Sequence, residues 1–86
     1  MINKHLIKLF GLRIRELRES KNISQEALSF STGFHRTYIG MIERGERNIS
    51  LTNMAVFAKV FELNLSELLD FKTVNSFKKY ETKTQK

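Results

Sequence analysis

Apolar residues recur at three- and four-residue intervals through most of the chain, strand-like alternation is short and rare, and no proline interrupts the sequence. That pattern predicts an all-α domain of short helices. Asn3 stands as an N-cap ahead of Leu6, Phe10, Ile14 and Leu17, a stripe at helical spacing, with Lys8, Arg15, Glu19 and Lys21 on the wet side. Asn22 ends this first helix, because Asn is the non-glycine residue that best tolerates a left-handed backbone. Ser24 caps a second helix from Gln25 to about Ser31, with Glu26 complementing the dipole in its first turn. Gly33 permits a turn, Phe34 plugs the corner, and a third helix spans His35 to Arg44, with Tyr38, Ile39 and Ile42 on one side and Gly45 as its stop. Ser50 opens a fourth segment carrying Leu51, Met54, Phe57, Val60 and Phe61. Asn64 with Glu67 three positions later has the spacing of a capping box for a short fifth helix through Leu69.

The 86 residues suit one small domain over residues 1–71. Residues 72–86 turn Lys-, Thr- and Asn-rich, and read either as a frayed basic tail or as a short amphipathic extension carried by Val74, Phe77 and Tyr80. Hydrophobic residues make up 41% of the chain, with seven Phe. This is enough for a modest core and too little to enclose a large substrate cleft, so the chain does not read as an enzyme. With no Cys and two isolated His, no metal site and no cofactor is expected. Lys4, His5 and Lys8 interrupt the apolar residues from Met1 to Phe10, and no run approaches the roughly 18–20 residues of a membrane span. The chain therefore reads as soluble and cytoplasmic, with no membrane partner and no evident small-molecule ligand. Net charge is +6, but residues 72–86 hold five Lys against one Glu, leaving ten basic and eight acidic residues in the body. A basic balance favours phosphate partners through counterion release, and a nearly neutral body places that task on a few well-set Arg.

Two short helices joined by a tight glycine-containing turn allow the second helix to enter the DNA major groove while the first braces it on the backbone. Gln25 to Arg44 fits that unit. Ser29 is small where the helices pack, Gly33 occupies the turn, Ile39 and Ile42 are buried anchors, and Arg36, Thr37, Gly40 and Met41 remain for the outer face. The stretch QEALSFSTGFHRTYIGMIERGERNISL resembles the helix-turn-helix of the lambda-repressor and Cro-like transcriptional regulators. The resemblance covers about residues 6–70, and RTYIGMIERGERNISL is most similar to the controller proteins of restriction–modification systems, which are small homodimers. It implies a compact five-helix fold and a sequence-specific transcriptional regulator that binds double-stranded DNA as a homodimer on a palindromic operator. Antitoxins and phage-type repressors share this fold, and a protein-interaction module that has lost DNA binding is the remaining alternative.

Position by position, the resemblance implies that Gln25 contacts backbone phosphate and that His35, Arg36 and Thr37 meet base edges. Arg36 is best suited to readout, since a guanidinium pairs bidentately with guanine O6 and N7, and the Thr37 methyl suits thymine. His35 touches phosphate or fills the first turn. Tyr38 either reaches phosphate at the groove wall or packs half-buried under the third helix, and Met41 either contacts bases or covers surface. Gly40 departs from the family, which usually has Ser there. Arg44, Arg47 and Asn48 follow the third helix, where the family anchors to phosphate or reaches into a groove, with Arg47 at the position of a base-reading Arg. Glu43 and Arg18 correspond to a structural ion pair. The implied dimer interface lies on helices four and five, with Phe61, Leu63, Leu65 and Leu68 as candidates that the monomer core also claims, and Phe77 and Tyr80 as an extension. RNA polymerase is a further partner open to such a regulator.

Overall fold

The computed structural model describes residues 3–74, which are helical throughout apart from the connections. The elements are α1 (Lys4–Ser20), α2 (Gln25–Thr32), α3 (Arg36–Glu43), α4 (Leu51–Val60) and α5 (Leu65–Leu68), followed by a 3₁₀ turn at Phe71–Thr73. Phe77, Tyr80 and most of the basic stretch lie outside the described residues. The domain boundary drawn after residue 71 falls within the 3₁₀ turn, and Val74 just beyond it is buried.

Local chemistry sets the helix starts. Asn3 Oδ1 accepts from the Leu6 amide at 3.0 Å, Ser24 Oγ from Ala27 at 3.0 Å, and Ser50 Oγ from Asn53 at 3.1 Å. Each satisfies an amide that a helix start leaves without an intrahelical partner. The Asn64–Glu67 capping box closes in both directions, at 2.8 and 2.9 Å. Asn22 takes φ 56° after α1, and Gly33 and Gly45 take φ 80° and 73° after α2 and α3. The third helix starts one residue later than its sequence pattern suggests. His35 is the N-cap, with extended backbone and Nδ1 accepting from the Thr37 amide at 3.1 Å. Arg44 is correspondingly the C-cap of α3, and Leu69 that of α5.

The core gathers Phe10, Ile14, Leu28, Ile39, Ile42, Phe57, Ala58, Phe61 and Leu68, with contributions from every helix. Phe57 sits at its centre, edge-on to Phe10 at 6.3 Å and tilted against Phe34 at 5.3 Å, so Phe34 does fill the corner between α2 and α3. Phe61 and Leu68 are 3% and 0% exposed. Both are buried in the monomer's own core, the alternative that the sequence pattern leaves open for them beside a dimer interface. Leu63 and Leu65 are half-buried against the same core. Leu6, expected on the buried stripe of α1, is 50% exposed and takes no part in the core. Leu9, Gly11 and Arg13 are buried instead. At Gly11 the α1 backbone runs so close to α3 that a Cβ would overlap the carbonyl oxygen of Ile42 and press on that of Glu43.

Candidate nucleic-acid interface

The turn between α2 and α3 is held by one hydroxyl. Thr32 Oγ1 donates to the Leu28 carbonyl at 2.9 Å and accepts from the Phe34 amide at 3.1 Å, tying the end of α2 to the chain beyond Gly33. Ile39 and Ile42 then anchor α3 in the core. Three residues at the start of this helix unit, His35, Arg36 and Thr37, are exposed together.

Behind α3 lies a polar lock. Arg18 Nε and Nη2 donate to Glu43 Oε2 and Oε1 at 2.6 and 3.1 Å, and Arg18 Nη1 donates to the Ile23 carbonyl at 2.9 Å. The side chains are only 12% and 3% exposed. The hydrogen bond that Arg18 donates to Glu43 outweighs burial and pushes the Arg18 pKa upward, so the guanidinium remains charged at any working pH. Gln25 joins the lock by donating from Nε2 to Glu43 Oε1 at 3.0 Å. One carboxylate thus fastens the end of α3 to α1 and to the start of α2, and removing either charge would leave its partner stranded in a half-dry site.

The remaining expected site residues fall into two groups. Arg44 lies on the open surface and grips Glu46 through Nε and Nη2 at 2.9 and 3.2 Å. This pair raises the Arg44 pKa and lowers that of Glu46, chiefly through the side-chain hydrogen bond in each case. Arg47 folds back on α3. Its guanidinium carbon is 5.5 Å from the Tyr38 ring centroid, and Nη1 is 4.0 Å from Met41 Sδ, so Tyr38, Met41 and Arg47 form one cluster. Tyr38 is half-buried, edge-on to Phe34 at 5.1 Å, and its hydroxyl accepts from Asn53 Nδ2 at 3.0 Å. Asn48 is exposed beside this cluster. Gly40, expected on the outer face, is buried; the nearest atoms to a Cβ there are Arg44 Nη1 and Gln25 Oε1.

Two polar residues of this framework carry no local sequence signal. Arg13 is buried and donates from Nε to the Leu68 carbonyl at 3.0 Å and from Nη2 to the Glu67 carbonyl at 2.7 Å. It satisfies the C-terminal carbonyls of α5 from the middle of α1, across more than fifty residues of sequence. Asn53 reaches Tyr38 from α4. Among the described residues no three His, Cys, Asp or Glu side chains gather as metal ligands would, and no helix is long and apolar enough to cross a membrane.

A helix-turn-helix family model matches residues 14–68, a span that takes in the Arg18–Glu43–Gln25 lock and the whole of α2 and α3. Control protein C.BamHI of Bacillus amyloliquefaciens is 48% identical over 69 residues, covering 79% of this chain and 85% of that one. Control protein C.SmaI of Serratia marcescens is 43% identical over 62 residues, 72% of this chain and 74% of that one. The solved structure of the restriction-modification controller protein C.AhdI from Aeromonas hydrophila shares 48% identity, with a TM-score of 0.67 over 73% of this chain and 90% of that one. The chain belongs to the helix-turn-helix family and, within it, to the restriction–modification controller proteins.

Proposed function

We propose that this chain is a sequence-specific transcriptional regulator, a restriction–modification controller protein that binds double-stranded DNA as a homodimer on a palindromic operator in the cytoplasm. The observation that carries this reading is the first turn of α3. Arg36 and Thr37 stand exposed there, and no ion pair among the described residues engages Arg36, while the opposite face of the helix is fixed by the core and by Glu43. Such a helix reads bases without first releasing its side chains from the protein, and its rigid backing holds those side chains in register.

Gln25 is suited to phosphate because its amide nitrogen carries two hydrogens and Glu43 uses one. Arg44 adds a cation to the same surface, and the cluster of Tyr38, Met41 and Arg47 flanks it. One recognition helix covers only a few base pairs, so two copies on half-sites about one helical turn apart give the affinity and symmetry an operator needs. Leu63 and Leu65 keep partial exposure on the α4–α5 side and are the members of the suggested interface still available to a second copy. Occupancy near a promoter then acts by excluding or recruiting RNA polymerase.

Selection from a random duplex library tests this reading, run in parallel for wild type, Arg36→Ala and Gln25→Ala at near-physiological salt. The expected result is a pseudo-palindrome for wild type, relaxed preference at one position per half-site for Arg36→Ala, and a uniform loss of affinity with the same preference for Gln25→Ala. Retention that depends only on salt, with no enriched sequence, would overturn it.

A further inference from the structure

Tyr38 is where α3, α4 and the loop between them converge, and its contacts divide by chemistry. The ring edge meets Phe34, one face lies by the Arg47 guanidinium, and the hydroxyl oxygen receives Nδ2 of Asn53. Asn53 is itself fixed, because its backbone amide donates to the Ser50 N-cap at 3.1 Å, so its side chain springs from the capped first turn of α4. A phenol offers one hydrogen and two lone pairs. The Asn53 amide occupies the oxygen as a donor, and no acceptor among the described residues takes the hydroxyl hydrogen. That hydrogen is left for an acceptor outside the protein.

We infer that Asn53 is a positioning residue for DNA binding, which fixes the Tyr38 hydroxyl as a donor toward a backbone phosphate. The inference rests on the proposed DNA-binding function and adds α4 to the elements that shape its surface. Phosphate oxygens accept and never donate, so a phenol whose oxygen already has a donor is committed to the useful polarity before DNA arrives. Without Asn53 the hydroxyl is free to turn while Phe34 still holds the ring, and the cost of ordering that hydroxyl falls on binding. Because neither Asn53 nor Tyr38 is charged, this contribution lowers affinity when lost without changing the number of counterions released. It is also blind to base sequence. Those two properties distinguish it from Arg44 on one side and Arg36 on the other.

The test uses the full chain, a duplex enriched from a random library and single-base variants of that duplex, with affinities measured by fluorescence anisotropy at several salt concentrations. Thermal unfolding sets a temperature at which every variant is folded. Tyr38→Phe removes only the hydroxyl and keeps the ring against Phe34 and Arg47. Asn53→Ala and Tyr38→Phe should each weaken binding about 3- to 10-fold across all duplexes with an unchanged salt slope, and the double variant should bind no worse than Tyr38→Phe. Asn53→Leu, similar in shape but lacking the donor, should match Asn53→Ala and replaces it if that variant fails to fold. Wild-type affinity in Asn53→Ala and Asn53→Leu overturns the inference, as do losses that multiply in the double variant, which would mean that Asn53 acts independently of Tyr38. Failure of the folded wild type to bind any duplex overturns the DNA-binding reading itself.

Discussion

Glu46 holds the guanidinium that a DNA backbone would otherwise take. Its pair with Arg44 is bidentate, but both side chains are more than half exposed, where solvent and salt screen the attraction and a phosphate competes for the same donors. On the proposed function, binding must separate this pair and bring a carboxylate close to the phosphates. Glu46→Gln should therefore tighten DNA binding by roughly 3- to 10-fold and steepen the salt dependence by about one counterion per protomer, as anisotropy titrations over a salt series would measure. The pH dependence has a definite sign. The hydrogen bond from Arg44 lowers the Glu46 pKa, so the carboxyl stays charged to lower pH than an unpaired Glu would. The gap between wild type and Glu46→Gln should hold constant from about pH 8 to pH 6 and close only under stronger acid. Equal affinities at neutral pH would show that Arg44 stays away from phosphate. The pair was not legible in the sequence as a restraint on Arg44, because ERGER places two Glu and two Arg within five residues. Only the fold assigns Glu43 inward to Arg18 and Glu46 outward to Arg44.

Glycines inside helices carry opposite meanings at two positions of this scaffold. Gly11 lies where α1 meets the carbonyl oxygens of Ile42 and Glu43, and backbone atoms cannot swing aside. Gly11→Ala should lose about 1–3 kcal/mol, overpacking prevailing over the improved helix propensity. Gly40 is met by the ends of the Arg44 and Gln25 side chains at 3.1 and 3.7 Å, which can shift by a few tenths of an ångström. Gly40→Ala should gain up to about 1 kcal/mol from helix propensity. Urea unfolding checks both, with midpoints moving in opposite directions at a constant m value. The same contrast explains what could be read in advance. Caps are local, so Asn3, Ser24, Ser50 and the Asn64–Glu67 box mark helix starts within four residues of sequence. The roles of Gly11, Arg13 and Asn53 exist only through contacts between helices, and spacing along one helix holds no record of its neighbours. Phe61 and Leu68 show the limit of periodicity: it marks a residue as apolar without saying whether the monomer or a partner buries it.

At the scale of the whole molecule, positive charge and shape are divided between different parts of the chain. The body offers a rigid α3 with exposed Arg36 and Thr37, suited to discrimination, yet its charges nearly cancel. Half of the +6 lies at the C-terminal end, where Lys78, Lys79, Lys83 and Lys86 face only Glu81 in sequence. Counterion release is additive in the phosphates neutralised and indifferent to base sequence, whereas readout depends on a few groups held in fixed geometry. On the proposed function these two quantities should therefore respond to different substitutions. Replacing all four Lys by Gln in the full chain should lower affinity for operator and random duplex alike, and flatten the salt slope by up to about 3.6 per protomer. The ranking of preferred sequences in a library selection should stay as in wild type. Arg36→Ala should do the reverse at its own base pair, shifting the ranking by about 1–3 kcal/mol of discrimination. An unchanged slope in the four-Lys variant would mean that these four Lys neutralise no phosphate. A changed ranking would mean that the basic stretch reaches base edges, and that reading the operator is not the work of α3 alone.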